Sequence, residues 1–168
     1  MQRVVSDLTE TELVVKAAML IRRPVADVFE AIVDPAVTTH FWFSKANGRL
    51  SAGTRVRWDW EEHGVGTDVV IREFVPDMRI VMEWGATGEM TTVEWEFDDR
   101  GDQTTFLTVT SHDFARAGVD SAGRIPREAV EQALDSTGGF TLVLAAMKAY
   151  LEHGIELNLV RDRYPDGH

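Results

Sequence analysis

Between residues 48 and 111, apolar and polar side chains alternate with a period of two, and turn residues interrupt the alternation about every ten positions. Segment 55–60 shows this best, because Val56, Trp58 and Trp60 fall on one face of an extended chain. Such short runs predict antiparallel strands with one buried face. The six predicted strands lie between Gly48 and Gly53, over Arg55–Trp60 and Val65–Val75, around Ile80–Trp84 and Val93–Phe97, and over Thr105–Ser111.

The segments before this run predict one strand followed by two short helices. Residues 12–22 alternate loosely and are rich in valine, leucine and isoleucine, which favours a first strand. Pro24 stands where proline commonly begins a helix, and apolar residues at helical spacing continue to Asp34-Pro35. A second short helix, beginning at Pro35, is predicted to carry residues 40–43.

After a glycine-containing connection from Ala115 to Ile125, the chain has helical periodicity. Apolar residues recur there at steps of three and four. The predicted buried stripe is Val130, Leu134, Thr137, Phe140, Leu144, Met147, Leu151 and Ile155. A curved antiparallel sheet with one apolar face needs a cover, and this helix is the candidate for it. The sequence therefore predicts an α+β fold in which the sheet wraps around one long C-terminal helix.

Length and composition limit the classes of protein to consider. At 168 residues the chain is expected to form a single domain over residues 1–168. Without cysteine it can have no disulfide, thiolate zinc site or cysteine nucleophile. A formal charge of −11 disfavours nucleic acid and anionic membranes as partners. The N-terminal residues lack an apolar core, so we expect no signal peptide or membrane anchor and a cytoplasmic location.

Motifs for catalysis, metals and cofactors are absent or unconvincing. The five histidines are dispersed without metal-ligand spacing, and no phosphate-binding loop is recognisable, so neither a metal nor a cofactor is expected. Ser111, His112 and Asp113 have the residue types of a catalytic triad. Neighbouring residues of a strand point to opposite faces, however, so these three side chains cannot converge.

Several passages, in their order and spacing, resemble the activator of heat-shock-protein-90 ATPase homologue family, part of the START-like superfamily. They are IRRPVADVF (residues 21–29) with DP (34–35), FWF (41–43), EFVPDMRIVMEW (73–84), TFLTVT (105–110), GFTLVL (139–144) and KAYLEHG (148–154). The resemblance implies a helix-grip fold whose sheet and C-terminal helix enclose a pocket for a small hydrophobic molecule. It makes residues 12–154 the core of the domain and residues 155–168 a C-terminal extension.

Two differences from the family limit what the resemblance implies. Phe140 stands where many relatives have tryptophan, which changes the expected shape of the pocket. The family name also suggests a co-chaperone, but the resemblance concerns one domain of those activators. A chain of this length has no room for their chaperone-contacting domain, so we do not expect that role.

The candidate ligand pocket is defined by aromatic residues on the predicted inner face. Aromatic rings grouped on one face can line a cavity for an apolar ligand, or they can fill a core. The predicted ligand-binding residues are Trp42, Trp58, Trp60, Glu73, Met82, Trp84, Trp95, Ser111, Phe140, Leu144 and Met147. His40, close to Trp42, is either at the mouth of this pocket or on the surface of the second helix.

Glu73 is the strongest polar candidate among these residues. It shares the parity of Val69, Ile71 and Val75, which predicts a side chain on the buried face. A buried carboxylate needs a partner. It either holds a ligand or acts as an acid or base, or it forms a structural ion pair with Arg79, Arg55 or Arg57.

Two features of the long helix have alternative interpretations. Gly138-Gly139 permits close approach of a ligand or strand, or it marks a kink or tight helix–sheet packing. The helix also carries a second apolar stripe, predicted to be covered either by the C-terminal tail through Val160 and Tyr164 or by a second subunit. The predicted homodimer contacts are Leu142, Ala146, Tyr150 and Leu157.

Three functions fit these observations. The first is binding of a small hydrophobic molecule. The second is a cofactor-free enzyme of the polyketide cyclase or hydrolase type on the same fold, with Glu73 as acid or base. The third is a regulatory protein that acts through surface contacts. Because no nucleophile, metal site or cofactor motif is present, the sequence favours binding over catalysis.

Overall fold

The structure is a computed structural model that describes residues 13–85, 90–112 and 121–166. Much of the predicted connection from Ala115 to Ile125, the beginning of the predicted first strand, and Asp113 lie outside these residues. The elements, in chain order, are β1 (Val15–Ile21), α1 (Val25–Val33), α2 (Pro35–Thr38), β2 (Lys45–Ala46), β3 (Arg55–Trp60), a 3-10 turn (Glu61–His63), β4 (Val65–Val75), β5 (Arg79–Gly85), β6 (Thr91–Asp99), β7 (Thr105–His112), α3 (Arg127–His153) and α4 (Leu159–Asp162).

The strands form one antiparallel sheet in the order β1-β7-β6-β5-β4-β3-β2. Neighbours in the chain are neighbours in the sheet except for β1, which returns to pair with β7. Alternate burial is clearest in β7, where Thr105, Leu107, Val109 and Ser111 face the core. The predicted α+β fold is therefore confirmed, with α3 packed along the inner face next to β1.

Two short elements differ from the prediction. Helix α2 ends at Thr38, whose hydroxyl donates hydrogen bonds to the carbonyls of Ala31 and Asp34. Residues 41–43 follow in a turn, and all three side chains are buried. The prediction that a second helix carries these residues is therefore wrong, because the helix ends before them. Lys45–Ala46 forms β2, whereas the segment between Gly48 and Gly53 is a turn.

The predicted buried stripe of α3 is right in its C-terminal half and wrong elsewhere. Phe140, Leu144 and Met147 are at most 5% exposed. Val130 and Leu134 are 38% and 68% exposed, because the small residues Ala129 and Ala133 face the core in their place. Ile155 is also exposed, since Gly154 ends the helix before it with a positive φ.

A β-bulge in β4 makes the prediction of a buried Glu73 wrong. The register with β5 runs Ile71 to Met82 and then Glu73 to Val81, so Arg72 is an extra residue. The bulge inverts the parity beyond it: Ile71 is buried, whereas the Glu73 side chain is 49% exposed. Its carboxylate lies 3.4 Å from Arg79 Nε, which is the predicted structural pairing, but at the surface.

We expect Glu73→Gln to change the free energy of unfolding by less than about 1 kcal/mol, because exposed ion pairs contribute little. Urea denaturation at pH 7 measures the change. Phe74→Ala is the matched comparison at the next position, where the ring packs edge-on to Phe29 at 5.3 Å. A loss from Glu73→Gln as large as that from Phe74→Ala would contradict the outward orientation of Glu73.

Candidate functional site

All five tryptophans belong to one aromatic cluster, with Trp42 at its centre. The ring centroid of Trp42 lies 4.9 Å from Trp58, 5.7 Å from Trp84 and 5.6 Å from Trp95. It lies 6.3 Å from Trp60. The rings meet mostly at steep angles, the edge-to-face geometry that aromatic side chains prefer.

Strand register and one turn bring these residues together. Trp58 and Trp60 occupy alternate positions of β3, while Trp84 in β5 and Trp95 in β6 lie on the same inner face. Trp42 reaches the cluster from the turn after α2, where its backbone N–H donates to the carbonyl of Thr38. The inward orientation of the tryptophans in the strands therefore follows from the alternation of the sequence, but the position of the central Trp42 ring depends on a turn.

Among the described residues, large side chains between sheet and helix are buried, and a cleft opens at one end of the sheet. There β3, β5 and β7 end, and β4 and β6 begin. A cleft of about 390 Å³, here called the strand-end cleft, opens between these strand ends and α3. It is lined by Trp60, Val65, Gly66, Thr67, Trp84, Gly85, Thr91, Ser111, Gln132, Ser136 and Phe140.

Helix α3 contributes one side of the strand-end cleft through residues spaced four apart: Gln132, Ser136 and Phe140. This spacing aligns the three side chains along one face of a helix. The Phe140 ring stacks on Trp84, with 5.9 Å between centroids and 22° between planes. Phe140 thus joins the helix to the aromatic cluster and forms an apolar surface of the cleft.

Among the described residues, the polar side chains that line the strand-end cleft are uncharged. They are hydroxyls of serine and threonine and the amide of Gln132. The Thr67 hydroxyl accepts a hydrogen bond of 3.0 Å from the backbone N–H of Gly85, which fixes its position at the rim. A cleft with aromatic surfaces and neutral polar groups suits a ligand that has rings together with hydroxyl or carbonyl groups.

The Trp95 indole beneath the cleft has an unusual polar environment. Trp95 is fully buried, and its Nε1–H has no hydrogen-bond partner among the described residues. Its ring contacts Phe140 at 6.0 Å in an edge-on geometry. A buried donor without an acceptor costs about 1 to 3 kcal/mol. Trp95 is therefore a core residue held by apolar contacts rather than by its polar atom.

The structure separates the predicted site residues into three groups. Trp60, Trp84, Ser111 and Phe140 line the strand-end cleft. Glu73 lies on the outer face of the sheet. The remaining residues form the packed core below the cleft, each at most 7% exposed: Trp42, Trp58, Met82, Trp95, Leu144 and Met147.

Sequence reasoning missed four polar residues of the strand-end cleft. Thr67 already had the inward parity of β4, so alternation could have found it. The four-residue spacing of Gln132 and Ser136 from Phe140 was also visible. Thr91 could not be recognised, because its place in the cleft depends on how the strand ends meet.

The predicted dimer stripe on α3 is largely covered within the subunit, so it is not the exposed row expected. Ala146 is 2% exposed, and the Tyr150 ring stacks on His40 with 4.5 Å between centroids. His40 also pairs through Nδ1 with Glu156 of the C-terminal tail. Val160 packs against the core, so the tail covers this face, which was one of the two predicted alternatives.

Within the described residues, no three histidine, aspartate or glutamate side chains group as a metal site would require. None of the helices described there is long and apolar enough to cross a membrane.

A seven-stranded antiparallel sheet wrapped over a long C-terminal helix, with two short helices after the first strand, defines a helix-grip protein. The model of the family described as activator of Hsp90 ATPase homolog 1-like protein matches residues 22–152. The chain therefore belongs to this family, as the sequence predicted. No curated protein matches it.

Solved structures share this fold. A protein from Staphylococcus saprophyticus is 26% identical with a TM-score of 0.71, covering 86% of this chain and 96% of its own. DynU16, described as a putative protein in the dynemicin biosynthetic locus, is 23% identical with a TM-score of 0.70, covering 85% of this chain and 48% of its own. The Aha1 dimer from Colwellia psychrerythraea is 13% identical with a TM-score of 0.69, covering 84% and 98%. The last two likenesses concern the fold alone.

Proposed function

We propose that this protein binds a small, uncharged molecule with aromatic or polycyclic character in the strand-end cleft. The observation that carries the proposal is the lining of the cleft: Trp60, Trp84 and Phe140 present apolar rings, while the polar groups are hydroxyls and an amide. The volume of about 390 Å³ is within the range of small-molecule sites, roughly 300 to 1,000 Å³.

An uncharged ligand follows from the electrostatics of the cleft. Among the lining residues that the structure describes, none is an arginine, lysine, aspartate or glutamate. Taking a charged group out of water without a partner is strongly unfavourable, so an ionised ligand would lose more than it gains there. Neutral hydroxyl or carbonyl groups, in contrast, can exchange hydrogen bonds with water for bonds to Ser136 or Gln132.

Binding is favoured over the alternative of a polyketide cyclase-type or hydrolase-type enzyme. The acid or base assigned to that alternative was Glu73, which lies on the outer face and away from the cleft. The likeness to DynU16, a protein of a biosynthetic locus, is compatible with a natural product as ligand. A co-chaperone role depends on the names of the family and of fold neighbours, and a regulatory role through surface contacts stays a prediction.

Single-domain organisation, a cytoplasmic location and a homodimer stay predictions. The dimer predicted from α3 loses most of its support, because Ala146 and Tyr150 are covered within the subunit. Of the four predicted contacts, Leu157 is 47% exposed and is the one still suited to an interface.

The test uses N-phenyl-1-naphthylamine, an uncharged aromatic dye that fluoresces when it enters an apolar site. We expect saturable binding to the purified protein, with quenching of tryptophan emission because the dye would lie against Trp60 and Trp84. Ser136→Trp should reduce the affinity at least about tenfold, since the new ring would occupy the cleft.

Leu134→Trp is the matched control on the same helix, because it adds the same ring at a position that is 68% exposed. We expect this variant to bind the dye as the parent does. Equal affinity for the dye in the parent and Ser136→Trp would show that the dye does not use the strand-end cleft, and the proposal would then fail.

A further inference from the structure

The C-terminal tail forms part of a second cavity of about 350 Å³, here called the tail cleft. Trp60 and His63 line it from the end of β3 and the 3-10 turn, and Leu142 lines it from α3. The remaining side is the tail, through Val160, Arg163 and Tyr164. The family model ends at residue 152, so these three residues lie outside the part of the chain that it matches.

Gly138 and Gly139 of α3 leave the space that the Arg163 guanidinium occupies. A Cβ atom at Gly138 would lie 2.7 Å from Arg163 Nη2, and one at Gly139 would lie 3.1 Å from Nη1. Each glycine costs about 1 kcal/mol in a helix relative to alanine. Without side chains there, the guanidinium lies directly on the helix surface, and a Cβ atom at Gly138 would force it to shift. The tail, rather than a strand, is what approaches this glycine pair.

Arg163 is held in a fixed orientation from the side of the helix. Its Nη1 and Nη2 each donate a hydrogen bond of 3.1 Å to Asp135, to the carbonyl oxygen and to Oδ1 respectively. Tyr164 donates its hydroxyl hydrogen to the same carboxylate, and this hydrogen bond raises the pKa of Tyr164 above its ordinary value. A guanidinium has five N–H donors, so donors remain for a ligand.

The tail cleft has a cationic side chain in its wall, in a chain whose formal net charge is −11. Arg163 is ion-paired with Asp135, but Asp135 itself does not line the cleft, and no aspartate or glutamate is among the lining residues that the structure describes. His63 Nε2 is buried and has no hydrogen-bond partner within the described part of the chain. The other lining residues are mainly apolar or aromatic. A cation beside an apolar surface is complementary to an anionic amphipathic molecule.

We infer that the tail cleft is a second ligand site, which takes the carboxylate or sulfonate of an aromatic or aliphatic acid through Arg163. Its apolar part would lie against Trp60 and Leu142. The site is distinct from the strand-end cleft in its polar groups, although the two share Trp60 and Val65. The tail thus adds to the family fold a site with a different ligand preference.

The test compares two dyes that share the same ring system and differ by one anionic sulfonate group: N-phenyl-1-naphthylamine and 8-anilinonaphthalene-1-sulfonate. For Arg163→Gln we expect about a tenfold loss of affinity for the sulfonate, since one charge-assisted contact is removed. Affinity for the uncharged dye should stay within about twofold. Equal losses for both dyes would overturn the inference, because Arg163 would then act only by holding the tail.

Gly138→Ala distinguishes an effect of Arg163 on ligand affinity from an effect on the stability of the protein. Alanine favours the helix, so stability should hold or rise, while the displaced guanidinium should weaken binding of the sulfonate. Leu142→Trp should block the sulfonate by filling the tail cleft, and Thr141→Trp, at an exposed neighbouring position, is its control. If Ser136→Trp blocked the sulfonate and Leu142→Trp did not, the tail cleft would be rejected while the proposed function stood.

Discussion

Trp95→Ala should lower the free energy of unfolding by about 3 to 5 kcal/mol, the range for removing a large aromatic side chain from a core. Trp95 is fully buried between Trp42 and Phe140, with ring centroids 5.6 and 6.0 Å away. Alanine would leave a cavity that the surrounding rings cannot fill by small movements. Guanidinium denaturation, followed by circular dichroism, measures the loss.

Trp95→Phe is the matched comparison. It keeps most of the ring and removes the buried Nε1–H that has no partner within the described residues. The smaller ring destabilises the core, but removal of the unpaired donor offsets part of that destabilisation. We therefore expect the free energy of unfolding to fall by less than about 2 kcal/mol. A loss equal to that of Trp95→Ala would show that the indole nitrogen has a hydrogen-bond acceptor.

The second large effect is expected at the end of α3, where Lys148 joins the helix to the first strand. Its ammonium donates to the carbonyl of Leu20 at 2.7 Å and lies 2.6 Å from Glu152 Oε2. The Glu152 side chain is 8% exposed, so Lys148→Met would leave a carboxylate nearly buried without its partner. We expect a loss of about 2 to 4 kcal/mol in the free energy of unfolding at pH 7, because a buried charge without its partner is strongly unfavourable.

The double variant Lys148→Met with Glu152→Leu should recover much of this loss, since replacing both partners by apolar residues removes the uncompensated charge. No recovery would mean that the bond from Lys148 to Leu20 carries the effect. Thermal unfolding of the parent, Lys148→Met, Glu152→Leu and the double variant gives the interaction free energy of the two residues as a double-mutant cycle.

The same ion pair predicts a pH dependence. Burial alone would raise the pKa of Glu152, but hydrogen bonds from Lys148 and from the Arg22 backbone hold it below the ordinary value. A lowered pKa in the folded state stabilises the protein above the unfolded pKa, and that contribution is lost as the pH falls. In Lys148→Met the carboxyl can protonate, so the difference in stability from the parent should be smaller at pH 4 than at pH 7.

The aromatic cluster limits where the proposed ligands can bind. Trp42, Trp58 and Trp95 are buried between sheet and helix, and the two clefts described above lie at the strand ends and beside the tail. The two clefts differ in charge, and Trp60 lies in the wall of both. A ligand bound in one cleft would therefore influence a ligand bound in the other through the Trp60 ring. With the two dyes added together, this influence would be measured as competition.

The helix-grip arrangement was predictable because strand alternation and helix periodicity are local properties. Val65–Val75 and Arg55–Trp60 were predicted with the bounds that the structure has. The inward positions of Trp58 and Trp95 follow from a side-chain period of two, which every half-buried strand must obey.

Local patterns also failed where the backbone changed its period. The bulge at Arg72 moved Glu73 to the outer face, and nothing in the residue types on either side indicated it. The turn after α2 carried Trp42 into the centre of the cluster, although the sequence placed it on a helix. Glu73 is therefore not on the buried face where it was predicted, whereas Phe140, also predicted as a site residue, lines the strand-end cleft.

The sequence by itself determined the fold class and the aromatic inner face, since these depend on periodicity, and its motifs indicated the family by resemblance. Only the tertiary structure decided that the aromatic cluster is packed between sheet and helix and that the tail covers part of α3. It also decided that Arg163 lies against Gly138 and Gly139, because this contact joins residues about 25 positions apart in the chain, which no local pattern can indicate. Whether space between packed elements is empty or filled depends on how their side chains meet, and no local pattern of residues specifies that.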